Sequence, residues 1–184
     1  MVQWCIMPLT MSVDYERVLT TPRLRLVPAT PAVIEAELEG FPRLGLVLGA
    51  ALPSDWPPEH HDRDTLVFWR GQLADPAAAG WWLYYTLMTE SEPATLVGSV
   101  GYKGPPNDGV VEIGYSVVPS WQRRGLATEA SRALIEGAWA RGANTIVAHT
   151  LEHLTPSLGV LRRLGFARTE SSEQDELEFR LRLA

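Results

Sequence analysis

Three consecutive runs constrain this chain most: WWLYYTLMTE (81–90), TLVGSVGYKG (95–104) and VVEIGYSVVP (110–119). Each is dense in aromatic and β-branched residues, which suit a pleated, half-buried surface. ESEPA and PPNDG separate them, and both are turn chemistry. The pattern predicts an antiparallel meander of three strands. Pro119 ends the third run. Downstream, Leu126, Ala130, Ala133, Leu134, Gly137 and Ala138 share one helical face, while Glu129, Arg132 and Glu136 share the other. The strand NTIVAHTL (144–151) follows that helix.

The flanks complete a layered structure. LTTPRLRLVPAT (19–30) alternates Leu24 and Leu26 with Arg23 and Arg25, a strand with one wet face. In TPAVIEAELEG (30–40), Thr30 can cap a helix, Pro31 suits its first position and Gly40 can end it. Residues 41–61 read as a short helix and a loop, and 62–75 as a helix through Leu66, Phe68, Trp69 and Leu73. TPSLGVLRRLGF (155–166) is a helix with Thr155 as cap, Pro156 at its first position and Gly165 as its stop. Two strands near 167–172 and 177–183 flank acidic SEQDE. The expected class is α/β (α+β): a mixed, largely antiparallel twisted sheet of about seven strands flanked by about four helices.

At 184 residues the chain is long enough for one domain with a real core, assigned to 18–184. Residues 1–17 are expected to be a flexible tail, with Met1, Met7 and Met11 as alternative starts. The net charge of −6 disfavours nucleic acid as a general partner and mildly favours cationic substrates. Cys5 is the lone cysteine, so no internal disulfide forms, and the four scattered histidines supply no zinc framework. A reduced, cytoplasmic compartment is the expectation. No apolar run reaches the length of a membrane span, and the start is a poor signal peptide.

The most loaded stretch is the turn Gln122-Arg123-Arg124-Gly125-Leu126-Ala127-Thr128, between a strand and a helix. The first N–H groups of a helix lack backbone partners and carry the positive end of its dipole. Such a terminus is an anion site. Gly125 and Ala127 let a phosphate approach the main chain, Arg123 and Arg124 add charged donors, and Thr128 adds a hydroxyl. On composition alone, a plain solvent-exposed turn competes with that reading. No G-x-x-x-x-G-K-[ST] and no G-x-G-x-x-G after a strand is present, which argues against a nucleotide-dependent kinase.

Residues 122–127 resemble the Q/R-x-x-G-x-G/A loop of the GNAT (GCN5-related) N-acetyltransferases. EIGYSVVPSWQRRGLATEA (112–130), LTTPRLRLVP (19–28) and TLEHLTPSLGVLRRLGF (150–166) are similar to segments of its branch that includes ribosomal-protein alanine acetyltransferases. The resemblance spans about 18–183 in element order. It implies acetyl-CoA as donor, no metal, and an amine acceptor, either a protein N-terminus or a small molecule. Amides 123–128 would hold the pyrophosphate, and the backbone of Val117 and Val118 would pair with the pantetheine arm where their strand leaves strand 144–151. A homodimer is one assembly common in the family. Leu154 departs from the pattern, which often has Asn there, and removes a polar contact; Ser157 is retained.

The reaction the resemblance implies is direct attack of the amine on the thioester. It needs a base, an oxyanion donor and an acid for the leaving thiolate. Glu112 is the candidate base, by likeness to the base of related histone acetyltransferases, directly or through water; otherwise it is a strand glutamate facing solvent. Ser157 is the candidate acid, or a serine bonding local amides. The Val117 N–H is the implied oxyanion donor. Tyr115 lies on the other strand face from Glu112 and reads as core. His60 and His61, beside Trp56 and Glu59, read as a wet loop near the acceptor pocket. His149 and His153 straddle a strand end and do not form a helical metal pair. Trp81 and Trp82 read as core, and Glu173 to Glu178 as a solvated hairpin. A non-catalytic acyl-CoA-binding module on the same scaffold is the alternative.

Overall fold

The described residues form a nine-stranded sheet with the expected meander at its middle, and its central strands are buried on both faces. The structure, a computed structural model, describes residues 13–59, 61–169 and 176–183. A hairpin of β1 (Leu19–Thr20) and β2 (Leu24–Pro28) precedes α1 (Pro31–Glu39), α2 (Phe41–Leu48), β3 (Ala50–Ala51) and α3 (Arg63–Gln72). The meander is β4 (Leu83–Met88), β5 (Ala94–Tyr102) and β6 (Val110–Val117). Then come α4 (Leu126–Ala140), β7 (Thr145–Leu151), α5 (Thr155–Leu164), β8 (Ala167–Arg168) and β9 (Glu176–Arg182).

The strand order is β1-β2-β4-β5-β6-β7-β9-β8, with β3 beside β5. Among the described strands, only β3–β5 and β6–β7 run parallel. The sheet is thus mixed and largely antiparallel, as expected. It has more strands than about seven because β1, β3 and β8 are two residues each, too short to leave a periodic signal. The described residues hold five α-helices, one more than the expected four or so.

Local chemistry explains most helix ends. Thr30 Oγ1 accepts from the Val33 N–H at 3.2 Å, and Asp62 Oδ1 from the Thr65 N–H at 2.9 Å. Each such cap contributes about 1 kcal/mol. The start of α5 differs from expectation. Its cap is Leu154, which has no side-chain acceptor, so Thr155 and Pro156 both lie inside the first turn.

Two cores sandwich the sheet. On one face α4 and α5 pack Leu126, Ala130, Leu134, Leu161 and Leu164 against Leu24, Leu26, Val97, Val100, Val111 and Ile113. On the other, α1, α2 and α3 pack Val33, Ile34, Leu44, Val47 and Leu66 against Val27, Tyr85, Leu87 and Leu96. This second cover removes the wet face expected for 19–30: Val27 is buried and Arg25 half-buried. The buried face of α4 also takes in Ser131 and Ile135, and Glu129 is tied to the first hairpin rather than facing water. Just before β4, Trp81 packs on the first core and Trp82 on the second.

Residues 1–12 with Cys5, His60, and 170–175 lie outside the described residues. The last segment holds the end of the expected 167–172 strand and the start of the acidic run from Glu173. Of the expected tail, Tyr15–Arg17 forms a 3-10 turn, Asp14 pairs with Arg17, and Val13 packs on the second core. Among the described residues no helix is long and apolar enough to cross a membrane.

Candidate active site

The sheet opens between its two parallel central strands. β6 and β7 pair only from Val110↔Thr145 to Glu112↔Val147. Beyond Glu112, β6 continues to Val117 beside β5 alone. Antiparallel pairing alternates, so each residue's peptide groups face one neighbour or the other. The Lys103 N–H bonds Glu112 O at 2.9 Å and the Val118 N–H bonds Val97 O at 3.0 Å. Even-numbered residues of this strand therefore face β5, and Tyr115 and Val117 turn their peptides into the gap. Val118 donates to Val97 and accepts from the Trp121 N–H at 2.9 Å, so both its groups are used inside the fold. Of the two residues expected to meet the pantetheine arm, only Val117 presents its N–H to the gap. Its carbonyl accepts from Gln122 Nε2 at 2.9 Å.

The loop at the mouth of the gap is wound by two left-handed residues. Arg123 has φ +63° and Gly125 has φ +78°. A Cβ at Gly125 would find only Arg23 Nη2, at 3.8 Å, so glycine is required there by backbone conformation rather than by crowding. The first helical bond of α4 runs from the Glu129 N–H to Gly125 O at 3.0 Å. The amides of Arg123 to Thr128 make no hydrogen bond to another described residue, and Thr128 Oγ1 is buried without a partner. Six donors at the positive end of a 15-residue helix form an anion cradle.

Neighbouring residues fix the cradle's shape. Arg23 donates through Nη2 to Arg124 O at 3.2 Å, and Glu129 holds Arg23 through Nε at 2.8 Å. Thr21 Oγ1 and the Arg23 N–H also donate to Glu129, at 2.6 and 3.0 Å. Burial alone would raise the Glu129 carboxyl, but these donors outweigh it and hold its pKa below the ordinary value. Arg124 folds back over the Trp121 ring, 4.5 Å from its centroid, and donates to Ser120 O at 3.2 Å. Asp55 accepts from the Ser120 N–H and Oγ at 2.8 and 3.0 Å, and these bonds, led by the backbone one, lower its pKa.

Two sets of chemical groups flank the gap on opposite faces. Ile113, Tyr115 and Val117 face α4 and α5. There Tyr115 Oη lies 3.0 Å from Ser157 Oγ and 3.3 Å from Ser157 O. Burial raises the Tyr115 pKa, and the Ser157 contact offsets part of that rise. Tyr115 packs on the first core as expected, and it also partners the candidate acid. Leu154 is exposed at the N-terminus of the same helix.

Glu112, Gly114 and Ser116 face the other way, where α1–α3 cover only the β2–β4–β5 half. Glu112 Oε1 contacts Lys103 Nζ and lies 3.0 Å from His149 Nδ1. These contacts are electrostatic, without aligned hydrogen-bond geometry. His149 Nε2 lies 3.7 Å from Glu178 Oε2, and Glu178 accepts from Arg180 Nε and Thr169 Oγ1, both at 2.8 Å. Glu112 is thus a partnered group rather than a free strand glutamate. Lys103 and His149 were not expected beside it. Strand register brings them there, and register is not written in local spacing.

The segment expected to be a wet loop is buried at His61. His61 and Trp56 are 3% and 5% exposed. Glu37 Oε1 accepts from Trp56 Nε1 at 2.9 Å, His61 Nε2 is 3.1 Å from both Glu37 oxygens, and Tyr85 Oη donates to Oε2 at 2.5 Å. A carboxylate leaving α1 anchors the segment, which hydropathy alone could not reveal. Among the described residues no cluster of His, Cys, Asp and Glu could hold a metal.

A sheet splayed between parallel central strands, with a bare helix N-terminus at its mouth, makes the protein an open α/β domain with an anion cradle where its sheet parts. The sequence profile of the acetyltransferase (GNAT) domain matches residues 23–167, and the chain belongs to that family. A curated relative, the uncharacterized N-acetyltransferase YjdG of Bacillus subtilis, is 29% identical over 92 residues, 48% of this chain and 54% of that protein. The chain thus matches about half the length of that relative. Among solved structures, the ribosomal-protein-S5-alanine acetyltransferase of Vibrio fischeri superposes with TM-score 0.64 at 16% identity, covering 90% of this chain and 96% of the other. The microcin C7 self-immunity acetyltransferase MccE, in complex with acetyl-CoA and AMP, superposes with TM-score 0.60 at 16% identity, covering 89% and 94%.

Proposed function

We propose that the protein transfers an acetyl group from acetyl-CoA to a primary amine, with both substrates bound together. The observation that carries this is the row of amides from Arg123 to Thr128, unpartnered among the described residues, at the mouth of the β6–β7 gap. Acetyl-CoA fits it: a diphosphate is the anion such a cradle suits, and Thr128 Oγ1 is a buried donor without a partner. Membership of the family and the acetyl-CoA held by one fold neighbour support the same donor. When bound, the donor supplies an activated acyl carbon.

The chain's own residues divide the remaining work. Gln122 fixes the Val117 carbonyl, and the Val117 N–H points into the gap as a donor for an arm or an oxyanion. Glu112, on the open face, takes the proton from the incoming ammonium; His149 behind it receives or stabilises that proton. The Tyr115–Ser157 hydroxyl pair, on the opposite face, returns a proton to the leaving thiolate. Several neighbours by fold act on ribosomal proteins by name, so a protein N-terminus and a small amine are both acceptors to test.

Thermal denaturation with and without acetyl-CoA, followed by thiol release over an amine library, tests the proposal. The expected result is a raised Tm and thiol release with at least one amine. Glu112→Gln should keep the Tm rise and lose turnover. An unchanged Tm at saturating acetyl-CoA would sink the reading; a raised Tm with no thiol release on any amine would leave a non-catalytic acyl-CoA-binding module.

A further inference from the structure

Lys103 is the only lysine in the chain, whose other fifteen basic side chains are arginines. Arginine keeps its proton near neutral pH, whereas lysine can shed one in a suitable site. Lys103 therefore carries the one side-chain primary amine, and the fold delivers it to Glu112. Lys103 and Glu112 are cross-strand neighbours joined by the Lys103 N–H···O bond of 2.9 Å, and Nζ contacts Oε1. The Lys103 side chain is 62% exposed and lies on the open face. An ion pair so exposed adds little stability, and arginine serves in exposed ion pairs elsewhere among the described residues, such as Arg17–Asp14, Arg43–Glu39 and Arg70–Glu35. Folding gives no reason for a lysine here.

We propose that Lys103 is a self-acetylation site, because its ammonium occupies the place on Glu112 that an acceptor's ammonium would take. The inference rests on the reading of Glu112 as base and acetyl-CoA as donor. In the step, the Nζ ammonium gives one proton to Glu112, and the neutral amine attacks the thioester carbonyl carbon. The N–C bond forms and the C–S bond breaks. The amine's second proton ends on the coenzyme A thiol, and the first leaves Glu112 for solvent by way of His149. The products are acetyl-lysine and free coenzyme A. The groups facing Nζ and Glu112 are His149, with Glu178 and Arg180 behind it. Acetyl-lysine is neutral, so the ion pair is lost and the open face becomes one charge more negative. That change favours an external ammonium at Glu112, and self-acetylation turns a self-occupied base into an open one.

The test is intact-mass and peptide mass spectrometry of the full chain after incubation with acetyl-CoA and no acceptor, with Tm measured on the same sample. The expected result is one acetyl group on Lys103, with the fraction modified per unit time independent of protein concentration over a dilution series at saturating acetyl-CoA. Glu112→Gln should lose it, Lys103→Arg should lose it while keeping the Tm rise, and urea-unfolded chain should not gain it. A raised Tm with Lys103 unmodified overturns this inference alone. So does equal acetylation of the glutamine variant or of the unfolded chain, or a first-order rate constant that rises in proportion to protein concentration. An unchanged Tm overturns the donor reading itself, and this inference with it.

Discussion

Single residues set the chemistry at the mouth of the gap, and Gly125 is the most exacting. Its φ of +78° is unfavourable for any residue with a Cβ, by about 1–2 kcal/mol. Gly125→Val should therefore fold with reduced stability, and the strain should turn the neighbouring amides away from the cradle. The expected outcome in differential scanning fluorimetry is a lower Tm that acetyl-CoA no longer raises. Glu129 gives a pH prediction. Its folded pKa lies below the ordinary value because donors from Thr21 and Arg23 outweigh burial. A carboxyl with a lowered folded pKa stabilises the fold above its unfolded pKa, and that stability is lost as pH falls through the folded pKa. Between the ordinary glutamate range and the lower folded value, Glu129→Gln should flatten the decline of stability with acidification. Equal slopes in urea melts of the two proteins across that window would refute the assignment. The turn Gln122–Thr128 was readable because its requirements are local. Tyr115 and His149 were not, since each gains its role from a residue distant in sequence, Ser157 and Glu112.

At the scale of elements, the segment between β3 and α3 behaves as a strap. Asp55 holds the turn that leads into the anion cradle, and Trp56 and His61 are pinned to α1 through Glu37. The strap therefore links the helices lining the open face to the loop proposed to hold the donor. Glu37 is 4% exposed and takes contacts from three side chains, so removing it leaves their donors buried and unmatched. Glu37→Ala should cost about 3–5 kcal/mol in urea unfolding, and Glu37→Gln less. A cost under about 1 kcal/mol for the alanine variant would mean the carboxylate is not the anchor. The long strands were legible from dense aromatic and β-branched runs bounded by turn residues, and α4 from its 3.6-residue apolar face. The strap carries no period. Its three prolines and exposed-looking histidines suggested a loop in water, and only the α1 carboxylate arriving from elsewhere makes burial tolerable.

For the whole molecule, the decisive property is a sheet that is continuous at one end and parted at the other. β6 and β7 share three paired positions and then diverge, so Val117 has a ladder on one side and a gap on the other. That asymmetry gives a test that separates folding from donor binding. Proline lacks an N–H and is tolerated in a strand only where that group faces away from the ladder. Ser116 turns its N–H toward β5, so Ser116→Pro should break the ladder and unfold the protein or lower its Tm sharply. Val117 turns its N–H into the gap, so Val117→Pro should retain native far-UV circular dichroism. Acetyl-CoA present at about 100 times its Kd stabilises a native protein by about 2.7 kcal/mol. Loss of one hydrogen bond to the donor should weaken binding about tenfold, or about 1.4 kcal/mol, and shrink that stabilisation by the same amount. Calorimetric titration of the Val117→Pro variant measures the change directly. If that variant binds acetyl-CoA as tightly as the parent, the arm does not pair with β6 and the gap is not where the donor lies.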